Sequence, residues 1–169
     1  MKAFFRFGVA AAMFAWLMVS TAALAGPSKA VVGTWTQDAG TVTAVRQEGS
    51  TLVIDTTVNF VWTQGTFLGK SVAMFTIRLN PTTGKGTFSG YELFTGTVDG
   101  RSGTSTLWDE GTVDGNRYGG VTTSVVGSGE LFHLRVSATF QGVLAVGGSW
   151  TGGTYQFSGH GDGQDGNDD

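Results

Sequence analysis

Leu52, Ile54, Val58, Phe60 and Trp62 share one parity, while Thr51, Asp55, Thr57, Asn59 and Thr63 hold the other. An apolar/polar period of two is the mark of a strand with one buried face. The same pattern returns in Ala73, Phe75, Ile77 and Leu79, in Phe88, Phe94 and Val98, and in Leu134, Val136, Ala138 and Phe140. Turn formers separate these runs: Glu48-Gly49-Ser50, Asn80-Pro81-Thr82-Thr83-Gly84, Asp99-Gly100, Asp114-Gly115-Asn116 and Gly147-Gly148. No segment after residue 25 sustains a helical period. The chain reads as all-β, with roughly eight or nine strands joined mostly by short loops. Half-buried strands leave edges unless their sheet closes, so the expected architecture is a closed antiparallel up-and-down barrel of about eight strands.

The N-terminus has the grammar of an export signal. Lys2 and Arg6 precede an apolar run from Phe7 to Val19, and Ala23-Leu24-Ala25 forms a small-residue cleavage site before Gly26. Residues 1–25 are therefore expected to be a cleaved signal peptide, residues 26–160 one domain, and residues 161–169 a solvated acidic Gly-rich tail. The mature protein would be periplasmic or extracellular, with no membrane segment once the leader is removed. There is no Cys, so no disulfide can staple the fold and stability must come from packing and backbone pairing. Loss of Lys2 and Arg6 lowers the 10 basic residues to 8 against 13 acidic ones, four of which are Asp162, Asp165, Asp168 and Asp169. A near-neutral domain of this kind carries no nucleic-acid footprint. A barrel in the outer membrane is disfavoured, because several strands read as short and the aromatic residues do not gather at both strand ends.

Three apparent motifs fail on spacing. Gly69-Lys70-Ser71 lacks the earlier Gly of a phosphate loop, Gln64 standing in its place. The Asp-rich tail lacks the ligand spacing of a calcium loop. His133 has the parity opposite to Leu134, Val136 and Ala138, hence should point away from the core. No metal or other cofactor is expected.

Glu92 is the exception to a clean apolar face. It shares parity with Phe88, Phe94 and Val98, so strict alternation aims its carboxyl inward. On the return strand Leu107, Asp109 and Val113 share a parity. With a four-residue loop over Asp99–Ser102, residues summing to 201 face each other, and Glu92 lies opposite Asp109. Two carboxyls withdrawn from water cannot both ionise cheaply; such a pair can share a proton and serve as acid and base. A bulge at Gly90 or Gly96 would instead turn Glu92 outward, and Arg101 or Arg135 could pair with it. Trp35, Trp62, Trp108 and Tyr91 offer large faces with one polar handle, suited either to a ligand at a barrel mouth or to core filling. The candidate catalytic residues are Glu92 and Asp109; the candidate ligand-binding residues are Trp62, Tyr91, Glu92 and Arg101.

The stretch Gly90–Thr104, GYELFTGTVDGRSGT, resembles the central motif of the bacterial family catalogued as domain of unknown function 3224. A second block, Val125-Val126-Gly127-Ser128-Gly129-Glu130-Leu131 followed by Leu134-Arg135, is similar to the family's V-V-x-G-S-G-x-G-E-L-x-x-L-R element in shortened form. The resemblance covers roughly residues 31–157 and implies an allene oxide cyclase-like or dirigent-like barrel, with Glu at position 92. The family typically has His in an L-Q-H-x-G-T run where this chain has Leu107-Trp108-Asp109-Glu110-Gly111-Thr112, which weakens any transfer of acid–base chemistry. The resemblance also allows a homo-oligomer. Three functions stand at this point: an exported barrel binding a small apolar or amphipathic molecule, an isomerase or cyclase using Glu92 and Asp109, and a structural barrel with a filled core.

Overall fold

A computed structural model describes residues 26–158. The proposed signal peptide and the acidic tail, with His160, lie outside the described residues. The strands are β1 (Lys29–Ala30), β2 (Gly33–Gln37), β3 (Thr41–Glu48), β4 (Thr51–Gly65), β5 (Phe67–Asn80), β6 (Lys85–Val98), β7 (Arg101–Asp114), β8 (Arg117–Gly129), β9 (Leu134–Val143) and β10 (Gly147–Phe157). All pairings are antiparallel. Hydrogen bonds run from β2 through β4, β5, β6, β7, β8, β9 and β10 and back to β2, a ring of eight strands. β2 and β3 pair with successive parts of the same edge of β4. They act as one broken strand, interrupted where Asp38 accepts hydrogen bonds from the Gly40 and Asn59 amides. β4 to β8 span 13 to 15 residues, longer than the sequence pattern suggests.

The apolar parity faces the interior of the ring. Phe60, Trp62, Ala73, Phe88, Phe94, Leu107, Val136 and Phe140 form one buried cluster contributed by five different strands. At the end carrying the 98–101 and 129–134 turns, Phe67, Val98 and Leu131 are fully buried and close the interior. At the other end Ile77 and Tyr118 are only partly buried, and Leu144 is exposed.

Two turns differ from the sequence reading. The β6–β7 connection is a two-residue turn at Asp99-Gly100, with Val98 paired to Arg101, instead of a four-residue loop. Asp99 and Gly100 have φ of 52° and 81°, which matches the right-handed twist of the flanking strands. Likewise Gly147-Gly148 begins β10, and the preceding turn is made by Leu144–Val146. Nothing lies within 4 Å of a Cβ placed on Gly100. Gly100→Val should therefore cost only its backbone strain, about 1–3 kcal/mol, and Gly100→Asn much less. Denaturant melts of the two variants check this; equal stabilities would show that φ does not govern the turn.

Candidate functional site

The tighter turn shifts the β6–β7 register by two residues, which leaves every side chain on its expected face. Glu92 is paired with Leu107, and Asp109 with Gly90. Glu92 and Asp109 are thus diagonal neighbours on the inner face, where the four-residue loop had set them directly opposite. No register shift occurs along β5–β6 or β6–β7, so neither Gly90 nor Gly96 turns Glu92 outward. Glu92 and Asp109 are 4% and 3% exposed. Arg101 and Arg135 are both exposed, and Arg101 lies over the Phe157 ring, so the acids have no cationic partner there.

Both acids line an interior cavity of about 60 Å³, room for on the order of four water molecules. Its walls are aromatic. Trp62 stacks on Trp150 with ring centroids 5.3 Å apart, and Trp35 meets Trp62 at 4.7 Å. Phe88, Tyr118 and Phe140 complete the wall on the β6, β8 and β9 sides. Two of these side chains have settled polar ends: Trp62 Nε1 donates to Ser71 Oγ at 2.9 Å, and Trp35 Nε1 to the Tyr118 hydroxyl at 3.2 Å.

Electrostatics separates the two acids. Burial, then the charge of Asp109, pushes the Glu92 carboxyl well above its ordinary range. Burial also raises Asp109, to about 6, against the Thr122 hydroxyl and Glu92, which hydrogen-bond to its charged form. The two carboxyls interact, so their protons leave in two coupled steps, and the stronger burial effect on Glu92 favours it as the group that holds a shared proton longer. Burial lifts the Tyr118 phenol to about 12, and it stays neutral.

Among the described residues three buried side-chain polar atoms have no hydrogen-bond partner: Gln37 Oε1, Glu92 Oε1 and Trp150 Nε1. All three residues line this cavity. Buried polar atoms are nearly always paired, and each unpaired one costs about 1–3 kcal/mol. Three residues that line one space thus each carry a buried polar atom without a partner, two of them acceptors and one a donor.

Of the residues expected to bind a ligand, Trp62 and Glu92 line the cavity; Tyr91 and Arg101 do not. Tyr91 is 48% exposed and packs on Trp108 across the outer face of β6 and β7. Its parity, opposite to that of Glu92, dictates this. Arg101, paired with Val98 at the start of β7, is exposed at the end of the ring and lies over the Phe157 ring, away from the cavity. His133 sits in the turn between β8 and β9, away from the cavity. Thr122 and Tyr118 were reachable by reflection through the Gly115-Asn116 turn, which pairs Asp109 with Thr122 and Val113 with Tyr118. Gln37 and Trp150 carried no such signal. Among the described residues no group of His, Cys, Asp or Glu is arranged to hold a metal ion.

No curated protein matches the chain. The crystal structure of a protein with unknown function from the DUF3224 family, from Shewanella oneidensis MR-1, has a similar fold, with a TM-score of 0.65 over 79% of this chain and 100% of that one at 15% identity. That identity supports the fold alone. A family model matches far more of the sequence than the two motif blocks: over residues 27–164 the chain belongs to the family described as Protein of unknown function (DUF3224).

Proposed function

We propose that this chain is an exported β-barrel of allene oxide cyclase-like form whose interior binds a small amphipathic molecule, or the head of a larger one. The observation that carries this reading is the convergence of Gln37 Oε1, Glu92 Oε1 and Trp150 Nε1, all buried and unpartnered, on one aromatic-walled cavity. A filled structural core would not retain three such atoms in one place. The cavity is far smaller than the roughly 300 Å³ of a drug-sized site, which restricts the buried part of the ligand to a few non-hydrogen atoms. The inward apolar parity supports a water-facing outer surface, because a membrane barrel turns that parity to lipid. Native mass spectrometry of the protein isolated from its own host tests the reading in one measurement. The expected spectrum has a polypeptide mass starting at Gly26 and an additional small mass lost on collisional activation. A polypeptide retaining residues 1–25 would contradict export, and a bare polypeptide from every preparation would contradict binding.

A second reading rests on the shared proton. An acid and a carboxylate side by side in an apolar cavity can protonate one atom of a bound molecule and deprotonate another, as an isomerase requires. Conversion of the co-purified molecule on incubation, lost in Asp109→Asn, would favour it over simple binding.

A further inference from the structure

We infer that the interior cavity takes its ligand as a protonated alkylamine, with the ammonium group donating to Glu92 Oε1 beside Asp109 and the alkyl part held against the aromatic wall that Trp35, Trp62 and Trp150 form together. This deepens the binding reading above and rests on it.

The lining decides the sign of the charge. Glu92 and Asp109 are the acids facing the cavity, and Tyr118 from β8 is the other titratable group there. β2, β4, β5, β9 and β10 turn only uncharged side chains toward it, among them Gln37, Thr56, Phe75, Phe140 and Trp150. An anionic ligand would meet a buried negative charge with no Lys, Arg or His to offset it, a severe penalty out of water. A neutral apolar ligand would leave Glu92 Oε1 and Gln37 Oε1 without donors. An ammonium ion supplies a donor to the Glu92 acceptor, neutralises the charge of the pair, and lies among aromatic faces that attract cations. The size agrees, since a short alkylammonium fills a space of this volume.

Proton balance gives a second signature. When the pair holds one proton, the ammonium binds and no proton moves. When acid has added a second proton to the pair, binding must expel it to solvent. Affinity should therefore fall by up to about tenfold per pH unit below the point where Asp109 titrates, and level off above it.

The test uses the full protein isolated from its host and dialysed, titrated with n-butylammonium, 1-butanol and butyrate while following the Trp indole NH resonances. The expected result is saturable shifts at Trp150 and Trp62 with n-butylammonium, at least about tenfold tighter than with 1-butanol, no binding of butyrate, and weaker binding at pH 5 than at pH 7.5. Asp109→Asn, which removes the negative charge of the pair, should lower n-butylammonium affinity about tenfold or more, while Glu110→Gln on the outer face leaves it unchanged. Butanol or butyrate binding as tightly as n-butylammonium would overturn the amine inference and leave the binding reading standing. Failure of all three probes to shift any cavity Trp would overturn both. The pH and probe comparisons are made on the unaltered chain, so they decide the matter whatever the variants' stability.

Discussion

The protein should lose stability as pH rises from about 4 to 7, and Asp109→Asn should abolish most of that loss. The folded-state carboxyl of Asp109 titrates at about 6 against an ordinary 3.8, chiefly through burial. Between those values the folded chain holds more protons than the unfolded chain. Stability from this group is therefore complete below the unfolded value and is lost as pH rises through the folded one, by roughly 3 kcal/mol for a shift of about two units. Glu92, raised further, extends the decline to higher pH. The outer carboxylates act oppositely. Asp38 is lowered by its bonds to Asn59, Glu48 by Arg78 and Arg46, and Asp55 by Thr76 and Arg46. Their contribution is present above their unfolded values and lost in acid, but exposed pairs contribute little. The optimum should accordingly sit near pH 4–5, about two units below the usual neutral range. Thermal melts at pH 4.5 and 7.5 check this. Asp109→Asn should raise the melting temperature at pH 7.5 by roughly 5–10 °C and flatten the profile, because Asn keeps an acceptor for Thr122 without a charge. A wild-type profile that rises toward neutrality would mean that the interior carboxyls are hydrated or paired with a cation.

Gly90→Ala should be among the most destabilising single substitutions in the chain. A Cβ on Gly90 would sit 2.0 Å from the Met74 carbonyl oxygen and 2.7 Å from Phe75 Cδ1. The obstruction is backbone of the neighbouring strand, so no rotamer change relieves it, and β5 and β6 must move apart. Such overpacking should cost about 3 kcal/mol or more, or roughly 10 °C in melting temperature. Because Gly90 pairs with Asp109 and stands two residues before Glu92 on the same face, the displacement also disturbs the acid pair. Gly152→Ala is the matched control: its Cβ would meet only Thr139 Oγ1 at 3.4 Å, an ordinary contact. It should be neutral within about 0.5 kcal/mol. Equal losses from the two would show that the close approach at Gly90 does not set the spacing of β5 and β6.

Much of this was legible in the sequence, for a physical reason. Side chains in a strand alternate strictly, so Phe88, Glu92, Phe94 and Val98 were fixed to one face before any turn was known. The misjudged turn changed the register by two residues, an even shift, and an even shift cannot move a residue to the other face. Glu92 and Asp109 therefore emerged on the same surface despite the error. Tyr91 lies outside the cavity because its parity is opposite to that of Glu92, whatever the suitability of its ring. Trp150 was hidden by its surroundings: Gly148, Gly152 and Gly153 leave no alternation to read, and the register shifts between Trp150 and Gly152. Gln37 enters the site by pairing with Phe60, where the short β2 joins the far end of β4 beyond β3, a pairing that no local pattern encodes.

The ring encloses a buried acid pair, Glu92 and Asp109, expected to hold a single proton near neutral pH. Carbon-13 NMR titration of the Glu92 Cδ and Asp109 Cγ resonances tests it most directly. The predicted result is that Asp109 titrates near 6, that Glu92 titrates above it, and that the two curves respond to each other so that Asp109→Asn alters the Glu92 midpoint. Independent midpoints for both carboxyls at or below their ordinary values, near 4, would contradict the account.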